Sequence, residues 1–475
     1  MTQHYIGGKW VSGITGKVFQ TINPSSGESF GEIADGGIED IDLAVRAART
    51  AFEGSWGLMT TLESGRILGR FSQVMLAHAD ELANIESEDT GKPHSVAWAD
   101  TQDAARSFEF YGAAAEKVRG ETGPYLNGYF VAVIHEPRGV TGHFLPWNYP
   151  RQMFGCTPAP SLAQGNATVL KPAEEASCSA LRLAALAEEA EFPPRGLNVV
   201  TGRGNVAGAA PTAHPGVDFL SFTGSPEVGQ LVQKAAADHY ATCVLELRGK
   251  SPQVVFADAD FDAALPIIQK AIIQNSGQTC SAGSRLLVQR DVYDEFVGAL
   301  AVGFASVKLG TPEMDLDCGP IISAKLKGLV QAFIDWARID GIPVLAEGET
   351  AAGAPSGGFF VKPSLFGIVP RNNPLARDEV FGPVLAVLPS EDEENAVRLA
   401  NATDYGLVAG VWTRDGGSQM RMAQRIHSGQ AFINSFGAGI DLPCGGAGKC
   451  GHAREKGFAA LHEFGTTETI VTKYA

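Results

Sequence analysis

The chain is poor in what membranes, nucleic acids and disulfide frameworks require. No run approaches the roughly 18 uninterrupted apolar residues of a membrane-spanning helix, so no such helix is expected. The opening "MTQHYIGGKWVSG" has neither a basic start nor an apolar core, which argues against a secretory signal. Seven cysteines (156, 178, 243, 280, 318, 444 and 450) are an odd, scattered set without a CxxC pair. They fit reduced thiols better than a disulfide framework or a zinc site, and no metal is expected. Basic residues are in deficit, 37 against 53 acidic, for a net charge of −16. Such a balance disfavours nucleic acid or an anionic membrane surface as partner. Low-complexity segments and repeats are also missing. The expectation is a soluble protein of the cytoplasm.

What is present is a long, ordinary globular composition. With 475 residues, 44% hydrophobic and 19% charged, the chain is large enough for two or three domains. Residues 1–35 read as short strands and turns, with Gly7-Gly8 as a hairpin turn. Residues 38–118 carry a helical pattern that stops at Gly91 in its second stretch. The middle third alternates β-branched runs ("RGVTGHFLP", "ATVLKP", "LNVVTG", "DFLSFTG", "ATCVLEL") with helical stretches ("SALRLAALAEEA", "PEVGQLVQKAAAD"). That alternation means βαβ units, a parallel doubly wound sheet, and ligands beyond its carboxyl ends. The alternation resumes over 250–445 as a second α/β domain. "NGYFVAVIHEP" and the tail "TTETIVTKYA" are candidates for an oligomer-forming flap.

Three local patterns suggest chemistry. In "FTGSPEVG", Ser225 is a good N-cap, Pro226 suits the first helical position, and Gly224 allows close approach of a ligand. This helix start can attract a phosphate, or be simply a well-capped helix. "LKPAEE" ends a strand with Lys171, Glu174 and Glu175; a carboxylate there can accept ribose hydroxyls and repel a 2′-phosphate, or belong to a solvated charge cluster. "GQTCSAGSR" places Cys280 on a Gly- and Ser-rich bend between a helix and a strand. Alone, it is better read as a small residue tolerated in a turn.

Together these segments resemble the aldehyde dehydrogenase superfamily. "PWNYP" (146–150), "KPAE" (171–174), "FTGS" (222–225), "ELRGKSP" (246–252), "GQTC" (277–280), "EVFGP" (379–383) and "GHARE" (451–455) occur in that family's order and spacing. The resemblance implies an α/β chain with a Rossmann-like NAD-binding domain (1–118 and 138–247), a catalytic domain (248–445) and a small β oligomerisation element (119–137 and 446–475). It implies Cys280 as nucleophile, Glu246 as general base and Asn148 as oxyanion donor. Lys171 would bind the adenosine ribose, Ser225 the pyrophosphate and Glu379 the nicotinamide ribose. Pro146, Trp147, Glu174, Gly204, Thr223, Gly224, Leu247 and Phe381 would complete the cofactor site. Tyr149, Met153, Cys156, Thr279, Ser281, Phe436 and Cys444 would line the substrate pocket. Glu246 favours hydrolysis to a free acid over acyl transfer to coenzyme A, and Glu174 favours NAD over NADP. A homodimer or homotetramer acting on a small-molecule aldehyde follows from the same resemblance.

The chain also departs from the family's pattern. Arg248 replaces the first glycine of "ELGGKSP"; a left-handed backbone there would strain it, and its guanidinium would tune Glu246, meet an anion or point to solvent. Cys444 stands where an aromatic is common, and Cys156 where a bulky residue is common, which suggests a roomier pocket for a bulky or aromatic aldehyde. Arg151 and Arg248 hint at a carboxylate-bearing semialdehyde, with a snorkelling arginine as the other reading of Arg151. A cysteine esterase or thioesterase is the rival activity, with His143 as its one nearby histidine. A non-catalytic family member is the third reading, which the set Cys280, Glu246 and Asn148 opposes.

Overall fold

The computed structural model describes every residue except Ala438 and Ala475. Chain entry is a hairpin, Gln3–Ile6 against Lys9–Ser12, closed by Gly7 and Gly8 at φ 67° and 77°. Two consecutive positive φ values are what a two-residue hairpin turn needs, hence the glycine pair.

The hairpin joins an eight-stranded sheet. Its order is Lys9–Ser12, Gln3–Ile6, Leu197–Val199, Ala167–Pro172, Val140–Leu145, Phe219–Thr223, Thr242–Glu246 and Gly451–His452. The five strands from Leu197–Val199 to Thr242–Glu246 in that order are mutually parallel, in registers such as Leu145↔Pro172 and Thr223↔Glu246. Val140–Leu145 and Ala167–Pro172 are buried along their whole length, the signature of a parallel sheet covered on both faces. Helices Ile38–Phe52, Thr61–Ala77 and Cys178–Glu189 bury their apolar stripes in the same core. Thr60 caps one of them in a reciprocal capping box with Glu63.

The second sheet has seven strands: Val344–Glu347, Ser364–Phe366, Val384–Ser390, Arg285–Gln289, Pro252–Val255, Val408–Trp412 and Gln430–Ile433. All pairs are parallel except the one at Val344–Glu347. Separate apolar cores lie around it. A third sheet pairs Gly465–Lys473, Tyr129–Pro137 and Glu121–Thr122 antiparallel, so the two segments read as flap candidates meet. Residues 446–464, grouped by sequence with that flap, instead send Gly451–His452 to the first sheet and Ala460 and Leu461 into the first core.

The chain passes from the first sheet to the second through 247–251 and returns through 434–450. Both crossings flank the carboxyl ends of the first sheet. The second sheet meets them with loops that precede its strands: 277–284 before Arg285–Gln289, and 378–383 before Val384–Ser390. The crevice is therefore built from carboxyl ends on one side and amino ends on the other.

Candidate active site

Cys280 owes its position to a strained turn. Asn275, Ser276 and Gly277 are left-handed in succession, at φ 47°, 55° and 74°. Such a conformation costs a non-glycine residue on the order of 1–3 kcal/mol and persists only where the surroundings hold it. They do so here by hydrogen bonds. Ser276 donates to the Gly319 carbonyl at 2.7 Å, Gln278 Nε2 to the Asn275 carbonyl at 3.0 Å, and Ile322 N–H to Gln278 Oε1 at 2.9 Å. Gly277 is required because a Cβ would strike the Gly382 backbone. Gly249 is similarly pressed against the Cys280 carbonyl. The hydroxyls of Thr279 and Ser281 lie 3.3 Å apart and flank the thiol.

Asn148 reaches this turn from the segment after Val140–Leu145. Its Nδ2 donates to the Gln278 carbonyl at 2.9 Å, and its own carbonyl accepts from Asn275 Nδ2 at 2.9 Å. One of its two amide hydrogens remains free. Among the described residues the Cys280 N–H has no acceptor either. Two free donors at this turn are what an oxyanion hole requires.

Glu246 ends its strand buried, with Oε1 lacking a hydrogen-bond partner among the described residues. Burial, and then the Glu455 carboxylate, push its pKa well above the usual range, while Arg454 and Lys456 oppose this. Glu455 is itself buried, and burial raises its carboxyl to about 7; it accepts from Thr223 Oγ1 at 3.3 Å. Sequence reasoning quoted Glu455 inside "GHARE" but gave it no role. Only the placement of Gly451–His452 beside Thr242–Glu246 reveals it as the partner of Glu246. The Cys280 thiol is also pushed up, first by burial and then by Cys444, Glu379 and Glu246.

The expected cofactor residues line the same crevice. Ser225 caps Pro226–Ala237, its hydroxyl accepting from Val228 N–H at 3.3 Å. Gly224 donates to the Glu246 carbonyl at 3.0 Å, and Leu247 packs under Gly229 of that helix. Lys171 is buried, with Glu174 at 4.0 Å, and burial lowers its pKa. Glu174 accepts from Gly204 N–H at 2.6 Å. Trp147 meets Phe381 edge-to-face at 5.3 Å, and Phe381 holds a left-handed φ of 56°. Pro146 is half-buried beside them. Glu379 is buried, accepts from Gly249 N–H at 2.8 Å, and is pushed by burial to about 8. Thr223 is engaged by Glu455. These residues fit a dinucleotide: a helix start with free N–H groups, an ammonium at a strand end, and a buried carboxylate, Glu379, whose Oε2 meets only the Arg248 guanidinium among the described residues.

Two sequence expectations are corrected. Arg151 is no substrate anchor. It is 0% exposed, with Nη2 on Glu86 Oε2 at 2.9 Å and on the Leu82 carbonyl at 2.5 Å, and it also bonds Thr101. It locks Pro150–Cys156 onto helices Ala79–Thr90 and His94–Ala114. Lys92 joins this buried cluster at 2.9 Å from Glu86 and 2.5 Å from Asp100, and lies 4.1 Å over the ring of Tyr149. Arg248 carries no left-handed strain; its Nε pairs with Glu379 Oε2 at 3.2 Å, so it faces the proposed ribose carboxylate rather than Glu246.

The pocket residues divide. Phe436 clusters with Cys280 and stands edge-to-face on Phe432 at 5.5 Å. Cys444 is half-buried, and Met153 packs on the core from the helix after Asn148. Cys156 is only 2% exposed and backs the pocket instead of lining it. His143 lies inside the first sheet, Nε2 at 2.8 Å from Thr141 Oγ1, and burial drives its pKa down to about 3. It cannot serve Cys280 as a base, which removes the support for a Cys–His hydrolase.

The chain is similar to known proteins along nearly its whole length. Residues 10–470 match the profile described as "Aldehyde dehydrogenase family". The chain is 39% identical over 476 residues to aldehyde dehydrogenase family 2 member B4, mitochondrial, from Arabidopsis thaliana, covering 99% of this chain and 88% of that one. A solved aldehyde dehydrogenase chain from Burkholderia cenocepacia superposes with a TM-score of 0.99 at 52% identity over all of both chains. The NAD+ complex of aldehyde dehydrogenase from Bacillus cereus gives 0.97 at 36% identity over 100% of this chain and 97% of that one. With its whole length matched in sequence and in fold, the chain belongs to the aldehyde dehydrogenase family.

Proposed function

We propose that the protein oxidises an aldehyde to the free carboxylic acid with NAD, through a covalent adduct on Cys280. The observation that supports this best is the convergence of a half-buried thiol, two free oxyanion donors and an unpartnered buried carboxylate at one crevice. When bound, the nicotinamide supplies the hydride acceptor. The chain's own residues do the rest. Glu246 relieves Cys280 of its proton, and the thiolate adds to the aldehyde carbon. Asn148 Nδ2 and the Cys280 N–H hold the resulting oxyanion, a contribution of about 2.7–4 kcal/mol for each such donor. Glu246 releases the thiol proton to solvent, and after oxidation it takes a proton from the water that attacks the thioester, the expelled Cys280 sulfur then recovering a proton. Ser225 would hold the pyrophosphate, Lys171 and Glu174 the adenosine ribose, and Glu379 the nicotinamide ribose. The carboxylate of Glu174 favours NAD over its 2′-phosphorylated form.

The seven cysteines are all free, which suits the reducing cytoplasm expected from the sequence. Among the described residues no helix is long and apolar enough to cross a membrane.

The test is absorbance at the reduced-nicotinamide band on mixing protein, NAD and aldehydes. The wild type should form NADH, and Cys280→Ala should form none while still binding NAD. Full turnover in that variant, or ester cleavage without NADH in the wild type, would refute the reading.

A further inference from the structure

Arg248 stands where the family pattern has glycine, and contacts at both of its ends fix where its side chain lies. At the backbone end, Thr223 pairs with Glu246, Gly224 N–H donates to the Glu246 carbonyl at 3.0 Å, and Leu247 lies against Gly229. Residues 246–247 therefore run alongside the start of Pro226–Ala237, the helix that Ser225 caps. At the other end, Arg248 Nε lies 3.2 Å from Glu379 Oε2. Glu379 is fixed in turn, since its Oε1 accepts from Gly249 N–H at 2.8 Å and Gly249 presses on the Cys280 carbonyl. The arginine side chain thus spans from the helix start to the buried carboxylate.

Its head is not used up there. A guanidinium carries five N–H donors, and only the one on Nε faces Glu379. The four on Nη1 and Nη2 have no hydrogen-bond or ion-pair partner among the described residues. The side chain is 38% exposed, so these donors are open to the crevice. In the first turn of the helix, its own N–H and Ser225 lower the Glu227 carboxyl, and Arg248 lowers it further. A planar fork with two free Nη groups, held by its Nε and set beside a helix start, is matched to a phosphate.

We propose that Arg248 binds the second phosphate of the cofactor, the one joined to the nicotinamide ribose, while its Nε stays on Glu379. This rests on the reading of the crevice as a dinucleotide site. That reading puts the pyrophosphate at Ser225 and the nicotinamide ribose at Glu379, and the phosphate that joins them must pass the guanidinium placed between. A glycine at 248 offers no charge to it. The contact therefore belongs to this chain and not to the family pattern.

The experiment measures dissociation constants by titration calorimetry for AMP, ADP, ADP-ribose and NAD, in the wild type and in Arg248→Gly, Arg248→Met and Arg248→Lys. AMP lacks the second phosphate, ADP has it, and ADP-ribose adds the ribose that Glu379 would hold. Position 248 has no positive φ to disturb, and retained AMP binding reports an intact fold. The wild type should bind ADP more tightly than AMP. That gain should shrink roughly 5- to 30-fold in the glycine and methionine variants, as expected for loss of a charge-assisted contact. Arg248→Lys should keep part of it. An unchanged gain from AMP to ADP, with affinity lost only at ADP-ribose, overturns the phosphate contact and leaves Arg248 as a support of Glu379. Tighter ADP binding in Arg248→Gly, or an equal loss on AMP and ADP, overturns it as well. A wild type that binds none of the four overturns the dinucleotide reading itself.

Discussion

At Glu246, the proposed function depends on a charge that its surroundings oppose. The residue accepts a proton only when ionised, yet burial and the Glu455 carboxylate both favour its protonated form. Two buried carboxylates so placed titrate as a pair, and ionisation of one makes ionisation of the other harder. Glu455→Gln keeps an acceptor for Thr223 and removes the like charge, so the pKa of Glu246 should fall. Deacylation needs the ionised form, and the acid limb of the kcat profile should therefore move to lower pH. A limb that stays in place or moves upward would show that Glu455 does not act on Glu246. The family resemblance singled out Cys280, Glu246 and Asn148 because each sits in a short contiguous motif. The sequence concealed Glu455, whose meaning depends on a partner at 246 that only the return crossing of the chain brings near.

Among the elements, the short helix Pro150–Cys156 carries the burden of aiming Asn148. It is seven residues long, too short to be rigid alone. Its rigidity comes from Arg151, buried among Glu86, Leu82 and Thr101. Burial raises the Glu86 carboxyl, but Arg151 and then Lys92 outweigh it and hold the group down at about 2. Breaking such a buried cluster from one side typically costs about 3–5 kcal/mol, since the remaining charge loses its partner. Arg151→Leu should therefore lower the urea midpoint of the first domain strongly, while the preference between carboxylated and neutral aldehydes stays as in the wild type. The opposite pair of results, unchanged stability with lost preference, would return Arg151 to the substrate site. The strands and helices around it were legible from β-branched runs and helical periodicity, which are local signals. The destination of Arg151 was not, because Glu86 and Thr101 stand on other helices and an arginine after "PWNYP" looks the same whether it turns inward or outward.

On the scale of the whole molecule, the three-stranded sheet is the part that a single chain leaves unfinished. Gly465–Lys473 is exposed at every position after Gly465, and it is an edge strand nine residues long. Directly opposed residues share a face, so Val471 and Val131 lie on one side, while Ile470 with Ala132 and Phe130 with Thr472 lie on the other. Phe130, Ile470 and Val471 are 51%, 42% and 54% exposed, so apolar side chains face water from both surfaces. An isolated antiparallel ribbon with an open edge and two apolar faces is poorly stable and prone to pairing. The arrangement becomes favourable once a second copy covers it, and the closed assemblies of identical chains are usually dimers or tetramers built on two-fold axes. Sedimentation equilibrium should accordingly give a mass two or four times that of the chain. The double substitution Ile470→Lys and Val471→Lys places a charge on each face without removing a backbone hydrogen bond, and it should shift the protein to the monomer. A monomeric wild type, or a double variant that keeps its full mass, would locate any self-association elsewhere and leave this sheet without a partner.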